Sequence, residues 1–170
     1  MILSDRDIAR CLRKGVIRVT PAPKKVQMGP ASIDLTLSNE FWKSKKKVRR
    51  IDISKVGFKD VMEHFTADSV ELNPGDMILG RTVEKIELPS DICGRLEGRS
   101  SFARLGLAIH VTSSFIQPGS ENHQILEIVN LSKQKILIKA GMRVSQVIFE
   151  ELKSKTSRPY AKFGRIARDQ

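Results

Sequence analysis

The sequence predicts a mainly β fold, a sandwich or barrel of the jelly-roll kind, on three observations. From Val16 onward, short β-branched and aliphatic runs are separated at close intervals by Pro, Gly, Asn and Asp, the rhythm of strands joined by tight turns. Full helical patterning occurs at the start of the chain and not in its body. No linker or internal repeat divides the 170 residues, and a domain typically holds about 100 to 200, so residues 1–170 read as one domain.

The helix comes first. Ser4 stands as N-cap before Asp5 and Asp7, the bases Arg10, Arg13 and Lys14 follow, and Gly15 closes the segment; acids at the start and bases at the end complement the helix dipole. Ile8, Cys11 and Leu12 share one face, which packs on a larger body while Arg6, Arg10 and Arg13 turn partly outward. Residues 32–37 alternate strictly and predict a half-buried strand. Segments 108–111, 125–129, 136–138 and 144–149 are strand-like and better buried, with turns expected at 73–76, 88–91, 117–119 and 139–141. Ser101-Phe102-Ala103-Arg104-Leu105-Gly106 joins a serine cap to a glycine stop and predicts one helical turn near 101–105.

Apolar residues make up 40% and charged residues 29%, the composition of a soluble globular chain and not of a disordered one. No stretch approaches the roughly 18 apolar residues of a membrane span, and Met1-Ile2-Leu3-Ser4 runs straight into charges instead of a signal-like apolar region. The expectation is a cytoplasmic protein without a membrane partner. Cys11 and Cys93 are too few for a metal cage or a disulfide framework and are expected as small buried hydrophobes. Thirty Lys and Arg against nineteen Asp and Glu give a net charge of +11, which attracts polyanions: nucleic acid, an acidic membrane surface or a phosphorylated small molecule. Six bases crowd residues 43–50. Without interleaved aromatics, that run reads as a solvated hairpin or edge strand in preference to a nucleic-acid platform.

Several enzyme classes have no support. There is no P-loop, no glycine-rich dinucleotide fingerprint, and no His-x-Glu with Pro-Cys-x-x-Cys of the zinc deaminases. His64, His110 and His123 are scattered, and a strand histidine such as His110 reads as a satisfied core residue. Candidate chemistry gathers between 94 and 130. Residues 94–106 pack Arg95, Arg99, Arg104, Ser100 and Ser101 among glycines; guanidinium forks and hydroxyls at a helical N-terminus suit phosphate oxygens, and a capped turn with surface arginines is an equal alternative. Glu127 lies mid-strand on the face opposite Leu126 and Ile128. It faces either solvent or a cleft, and a carboxylate in a partly dry cleft holds a proton more readily, as a proton shuttle requires.

Taken together, these segments resemble the dCTP deaminase family, trimeric relatives of dUTPase. The match runs in order through residues 3–8, 29–35 (Gly-Pro-Ala-Ser-Ile-Asp-Leu), 72–76 (Leu-Asn-Pro-Gly-Asp), 97–106 (Glu-Gly-Arg-Ser-Ser-Phe-Ala-Arg-Leu-Gly), 110–112 (His-Val-Thr), 116–119 (Ile-Gln-Pro-Gly), 126–130 (Leu-Glu-Ile-Val-Asn) and 141–143 (Gly-Met-Arg). The resemblance implies a distorted jelly-roll β-barrel of the dUTPase-like type and a homotrimer with active sites at subunit interfaces. It implies zinc-independent hydrolysis of dCTP to dUTP and ammonia, with Mg²⁺ carried by the triphosphate and no metal held by the protein. Glu127 falls on the family's proton-shuttling glutamate, with Ser100 holding the water and Arg104 orienting Glu127. Arg99 and Ser101 match the triphosphate-binding pattern, Thr112 and Ser113 the cytosine pocket, and Gln146 a further substrate contact. Residues 158–170, with Tyr160 and Lys162, correspond to a flexible tail that closes over the nucleotide.

Departures from the family pattern bear on the activity. Gln117 stands where the family commonly has an acid; its amide can bond a deoxyribose hydroxyl, but it cannot be the carboxylate base that dUTPases and bifunctional deaminase-diphosphatases use against the phosphate. Ser113 replaces a usual alanine, and Phe115 an arginine found in some deaminases and an aromatic in others. A dUTP diphosphatase or a bifunctional enzyme is the neighbouring alternative, the first opposed by Glu127 and both by Gln117. A non-catalytic nucleotide- or nucleic-acid-binding relative is the alternative from another class, motivated by the basic run and the altered sugar position.

Overall fold

The computed structural model describes residues 1–45, 50–110 and 112–163. Helix α1 (Asp5–Arg13) forms as its caps dictate, the Asp7 N–H donating to Ser4 Oγ at 3.3 Å. Ile8 is fully buried, with Cys11 and Leu12 packed against the same core.

The body is antiparallel sheet. Strands β1 (Arg18–Thr20), β2 (Ile33–Ser44), β3 (Met62–Thr66), β5 (Met77–Glu87), β6 (Ile92–Gly98), β7 (Leu107–Ile109), β8 (Phe115–Ile116), β9 (Glu121–Asn130) and β11 (Arg143–Glu151) form one sheet of order β7-β9-β5-β2-β11-β6-β8, with β1 added to β5 and β3 to β2. β4 (Ser69–Leu72) and β10 (Ile136–Lys139) pair separately. The large sheet curls into a half-barrel. Alternation along β2 sends Ile33, Leu35 and Leu37 inward to meet Leu126 and Ile128 of β9 and Val147 and Phe149 of β11, all fully buried. Each such side chain contributes roughly 1.5–3 kcal/mol relative to exposure.

A bulge shapes the middle of the sheet. Between the pairs Arg81↔Ile125 and Lys85↔His123, β5 advances four residues while β9 advances two. The extra backbone is tied down by polar bonds: the Gln124 N–H donates to Thr82 Oγ1 at 2.9 Å, and Thr82 Oγ1 donates to the Glu84 carbonyl at 2.8 Å. The Glu84 carboxylate, although buried, accepts from Gln27 Nε2 at 2.8 Å and the Thr36 N–H at 2.7 Å, which offsets the loss of water around its oxygens.

The structure corrects three readings. The strand expected over 108–111 stops at Ile109, because His110 adopts φ 55° and turns the chain out of the sheet; Val111 lies outside the described residues. The helical turn, α3 (Ser100–Ala103), starts one residue early, with Arg99 as an N-cap lacking a side-chain bond, so Ser101 does not cap it. Gly94, counted with the candidate segment 94–106, sits inside β6, where a Cβ would lie 3.2 Å from Ile116 Cδ1 and Val147 Cγ2. Cys93 is buried and Cys11 partly so, and burial pushes both thiols up. Of the basic run, 46–49 lie outside the described residues; Lys43 pairs with Glu63 of β3 at the end of β2. No helix among the described residues is long and apolar enough to cross a membrane.

Candidate functional site

Glu127 opens onto a cleft of about 340 Å³, within the roughly 300–1,000 Å³ usual for small-molecule sites. Its neighbours Leu126 and Ile128 anchor β9 in the core, so the strand's alternation aims the carboxylate the other way. The Thr112 hydroxyl donates to Glu127 Oε2 at 2.7 Å and the Thr112 N–H to the same oxygen at 3.3 Å. His110, also on the cleft, grips the Glu127 backbone from both sides: its N–H donates to the Glu127 carbonyl at 2.7 Å, and the Glu127 N–H donates to His110 Nδ1 at 3.4 Å. Burial pushes the His110 pKa down, opposed by the Glu127 charge and a bond to the Ser113 backbone. A neutral ring with Nδ1 unprotonated is the form that accepts this bond. A left-handed non-glycine residue carries about 1–3 kcal/mol of strain, and these contacts hold it in place.

Ser113, Gln117 and Tyr160 line the same cleft, as does Phe115. The Gln117 side-chain amide has no hydrogen-bond partner among the described residues, while the Gln117 backbone carbonyl accepts from Ser120 Oγ at 2.7 Å. Helix α4 (Tyr160–Phe163) docks on this turn: the Tyr160 N–H donates to the Pro118 carbonyl at 3.0 Å and the Ala161 N–H to that of Gly119 at 3.1 Å. Of the tail expected to be a flexible lid, Tyr160 lines the cleft, and residues 164–170 lie outside the described residues. Lys162 is exposed and does not line the cleft.

Sequence reasoning missed Phe58, from the short helix α2 (Phe58–Val61), and Asn122 and Gln124 of β9, all on the cleft wall. The β5 bulge shifts the register beside Asn122 and Gln124, as bulges near sites do; no one-strand pattern carries that signal. His110, expected as a core residue, lines the cleft.

The remaining predicted residues form a second group. Arg99 donates through Nη1 to the Arg143 carbonyl at 2.9 Å and pairs through Nη2 with Asp34 at 3.3 Å. Gln146 accepts from Ser32 Oγ at 2.8 Å and donates to the Gly98 carbonyl at 3.2 Å. Ser100, Ser101 and Arg104 are exposed, without side-chain hydrogen bonds or ion pairs among the described residues. Within one chain neither Ser100 nor Arg104 lines the Glu127 cleft, and among the described residues the carboxylate's hydrogen-bond partner is Thr112. Among the described residues no three His, Cys, Asp or Glu side chains converge as metal ligands.

A family model described as dCTP deaminase-like matches residues 2–152. The chain belongs to the dCTP deaminase-like family. A dUMP-forming dCTP deaminase of Methanosphaera stadtmanae is 38% identical over 165 residues, covering 94% of this chain and 83% of that one. A dCTP deaminase of Rhodospirillum rubrum is 38% identical over 171 residues, covering 95% and 88%. Among solved structures, the 2'-deoxycytidine 5'-triphosphate deaminase from Agrobacterium tumefaciens aligns with a TM-score of 0.69 at 22% identity, over 88% of this chain and 47% of that one. The dUTPase from Streptococcus mutans aligns with a TM-score of 0.52 at 19% identity, over 83% and 98%. The curled sheet is the dUTPase-like β fold the resemblance implied.

Proposed function

We propose that this family member hydrolyses dCTP to dUTP and ammonia, with Glu127 as the proton shuttle. The observation that carries the reading is the Glu127 carboxylate, fixed by Thr112 on a strand locked into the core and opening onto a nucleoside-sized cleft. Glu127 takes a proton from water as its oxygen bonds to cytosine C4. It passes that proton to ring N3, then takes the proton of the new C4 hydroxyl and delivers it to the departing amine, so that the C4–N bond breaks, ammonia leaves and the C4 carbonyl forms. Proton transfer of this kind typically contributes about 10²–10⁴ in rate, and positioning of water and ring supplies much of the rest. The substrate is the triphosphate carrying Mg²⁺, which would offset part of its phosphate charge, and no zinc takes part. Arg99 and Ser101 receive the phosphates, Gln117 a sugar hydroxyl, and Ser113 and Tyr160 the nucleoside; Gln146 supports the wall behind Gly98.

Ser100 and Arg104 act on a neighbouring subunit's Glu127 in a homotrimer. Their exposed side chains, without hydrogen bonds or ion pairs among the described residues, support this. A Glu127→Gln protein and a Ser100→Ala protein, each inactive, should regain activity when their subunits are mixed; mixtures that stay inactive refute the shared site. We place the enzyme in the cytoplasm, without a membrane or nucleic-acid partner.

The test incubates purified protein with Mg²⁺ and dCTP, and separately with dUTP, and resolves products chromatographically. dUTP and ammonia without dUMP support a monofunctional deaminase. The names of dUMP-forming relatives favour a second reading, a bifunctional enzyme; dUMP and pyrophosphate would establish it and move water activation at the phosphate away from Gln117. If neither nucleotide changes, the non-catalytic binding reading takes over.

A further inference from the structure

We infer that Asp34, Phe102 and Arg143 are positioning residues that hold the Arg99 guanidinium ready for phosphate, an inference that rests on the triphosphate reading above. Arg99 is fixed on its edge and over its face. On the edge, Nη1 donates to the Arg143 carbonyl at 2.9 Å and Nη2 meets Asp34 Oδ2 at 3.3 Å. Over the face, the guanidinium carbon lies 5.8 Å from the centre of the Phe102 ring, within cation–π range. Asp34 is held in turn by Arg143 Nη1 at 3.1 Å, and that nitrogen also donates to the Val26 carbonyl.

Exposure sets the direction of the device. The Asp34 side chain is 14% exposed and that of Arg99 28%, so the carboxylate forms the base of the network and the guanidinium its open end. Burial pushes the Asp34 pKa up, while Arg99 and Arg143 oppose it and favour the charged form. A guanidinium has five donors, and two Arg99 nitrogens are engaged internally. The remaining donors have no partner among the described residues, and the adjoining Ser100 and Ser101 are exposed, their hydroxyls without partners among the described residues. A long flexible side chain loses rotamer freedom when it binds; a fork already locked loses less, and the difference appears as affinity.

The experiment measures inorganic tripolyphosphate binding by calorimetry, KM and kcat for dCTP, and thermal melting, for the parent, Arg99→Ala, Asp34→Asn and Phe102→Leu. Removing the charged edge contact should weaken tripolyphosphate binding about tenfold, and removing the ring about threefold. In kinetics the loss should fall on KM more than on kcat. Phe102→Leu keeps an apolar side chain, so it remains informative if Asp34→Asn folds poorly. If Arg99→Ala leaves tripolyphosphate affinity unchanged, the phosphate-site reading itself fails. If Arg99→Ala weakens binding while Asp34→Asn and Phe102→Leu lower only the melting temperature, the network is structural and the inference is overturned.

Discussion

Replacing Gly119 with alanine should release the C-terminal segment from the cleft, and Gly141→Ala supplies the control. Both glycines have left-handed backbones, φ +78° and +84°, a conformation that disfavours an L side chain by roughly 1–2 kcal/mol. Their surroundings differ. A Cβ at 141 meets nothing within 4 Å, whereas one at 119 would lie 2.7 Å from Pro159 Cβ and 3.0 Å from both Pro159 Cα and the Tyr160 nitrogen. Backbone cannot yield there without moving the tail, and the tail is held at this turn by the two hydrogen bonds from Tyr160 and Ala161. At about 0.5–1.5 kcal/mol net for each bond, losing both corresponds to about 1–3 kcal/mol. Because about 1.4 kcal/mol is tenfold, the undocked population should rise about 5- to 150-fold. Amide hydrogen exchange at Tyr160 and Ala161 reads this directly. Gly141→Ala should leave those amides protected and lower the melting temperature by about 2–4 °C per kcal/mol at this chain length. Parental protection of both amides in Gly119→Ala would refute the reasoning, as would equal deprotection in the control.

Other predictions concern the site and its titration. Glu127→Gln should abolish ammonia release while nucleotide binding persists, since the amide keeps the shape and loses proton transfer; turnover near the parental rate would remove Glu127 from its role. Thr112→Val removes the 2.7 Å bond to the carboxylate and should lower kcat/KM by about 10- to 100-fold, the range expected for a hydrogen bond to a charged group; an unchanged value would show that Glu127 needs no such anchor. Burial lowers the pKa values of His110 and His123 from the ordinary 6.5, so the unfolded chain takes up protons first as the solution is acidified. Their contribution should leave stability highest above pH 6.5 and lower it as pH falls toward the depressed folded values. Urea unfolding at pH 7.5 and 5.5 checks this, and His123→Gln should flatten the slope; an unflattened slope would assign the effect elsewhere. Asp34, raised by burial, acts with the opposite sign, favouring the fold as pH falls through the carboxylate range.

Much of the molecule was legible in one dimension because its signals are local. Ser4, the first-turn acids and the single apolar face set α1, and the alternation of Ile33, Leu35 and Leu37 set β2. Strand β5 was harder. Its inward positions include Gly80, Thr82 and Glu84 beside Ile78 and Ile86, so no apolar alternation announces it. β5 runs between β9 and β2, and the bonds that Thr82 and Glu84 need come from Gln124 of β9, Thr36 of β2 and Gln27. Of the candidate site, Glu127 was legible from its strand neighbours and, with Thr112, Gln117 and Arg99, from ordered family motifs.

By itself the sequence determined the β class, the first helix, the turn positions and the residue types available for chemistry, since each follows from spacing along the chain. The tertiary structure alone decided which of those residues meet. It brought Thr112 onto Glu127, set His110 in a left-handed turn against the same strand, seated Tyr160 at the cleft, and joined Asp34, Arg99 and Arg143 across residues far apart in the chain. The physical reason is that such encounters depend on strand order, a bulge and a docked tail. These are set by long-range pairing and exclusion of overlapping atoms, and local propensity carries no record of them.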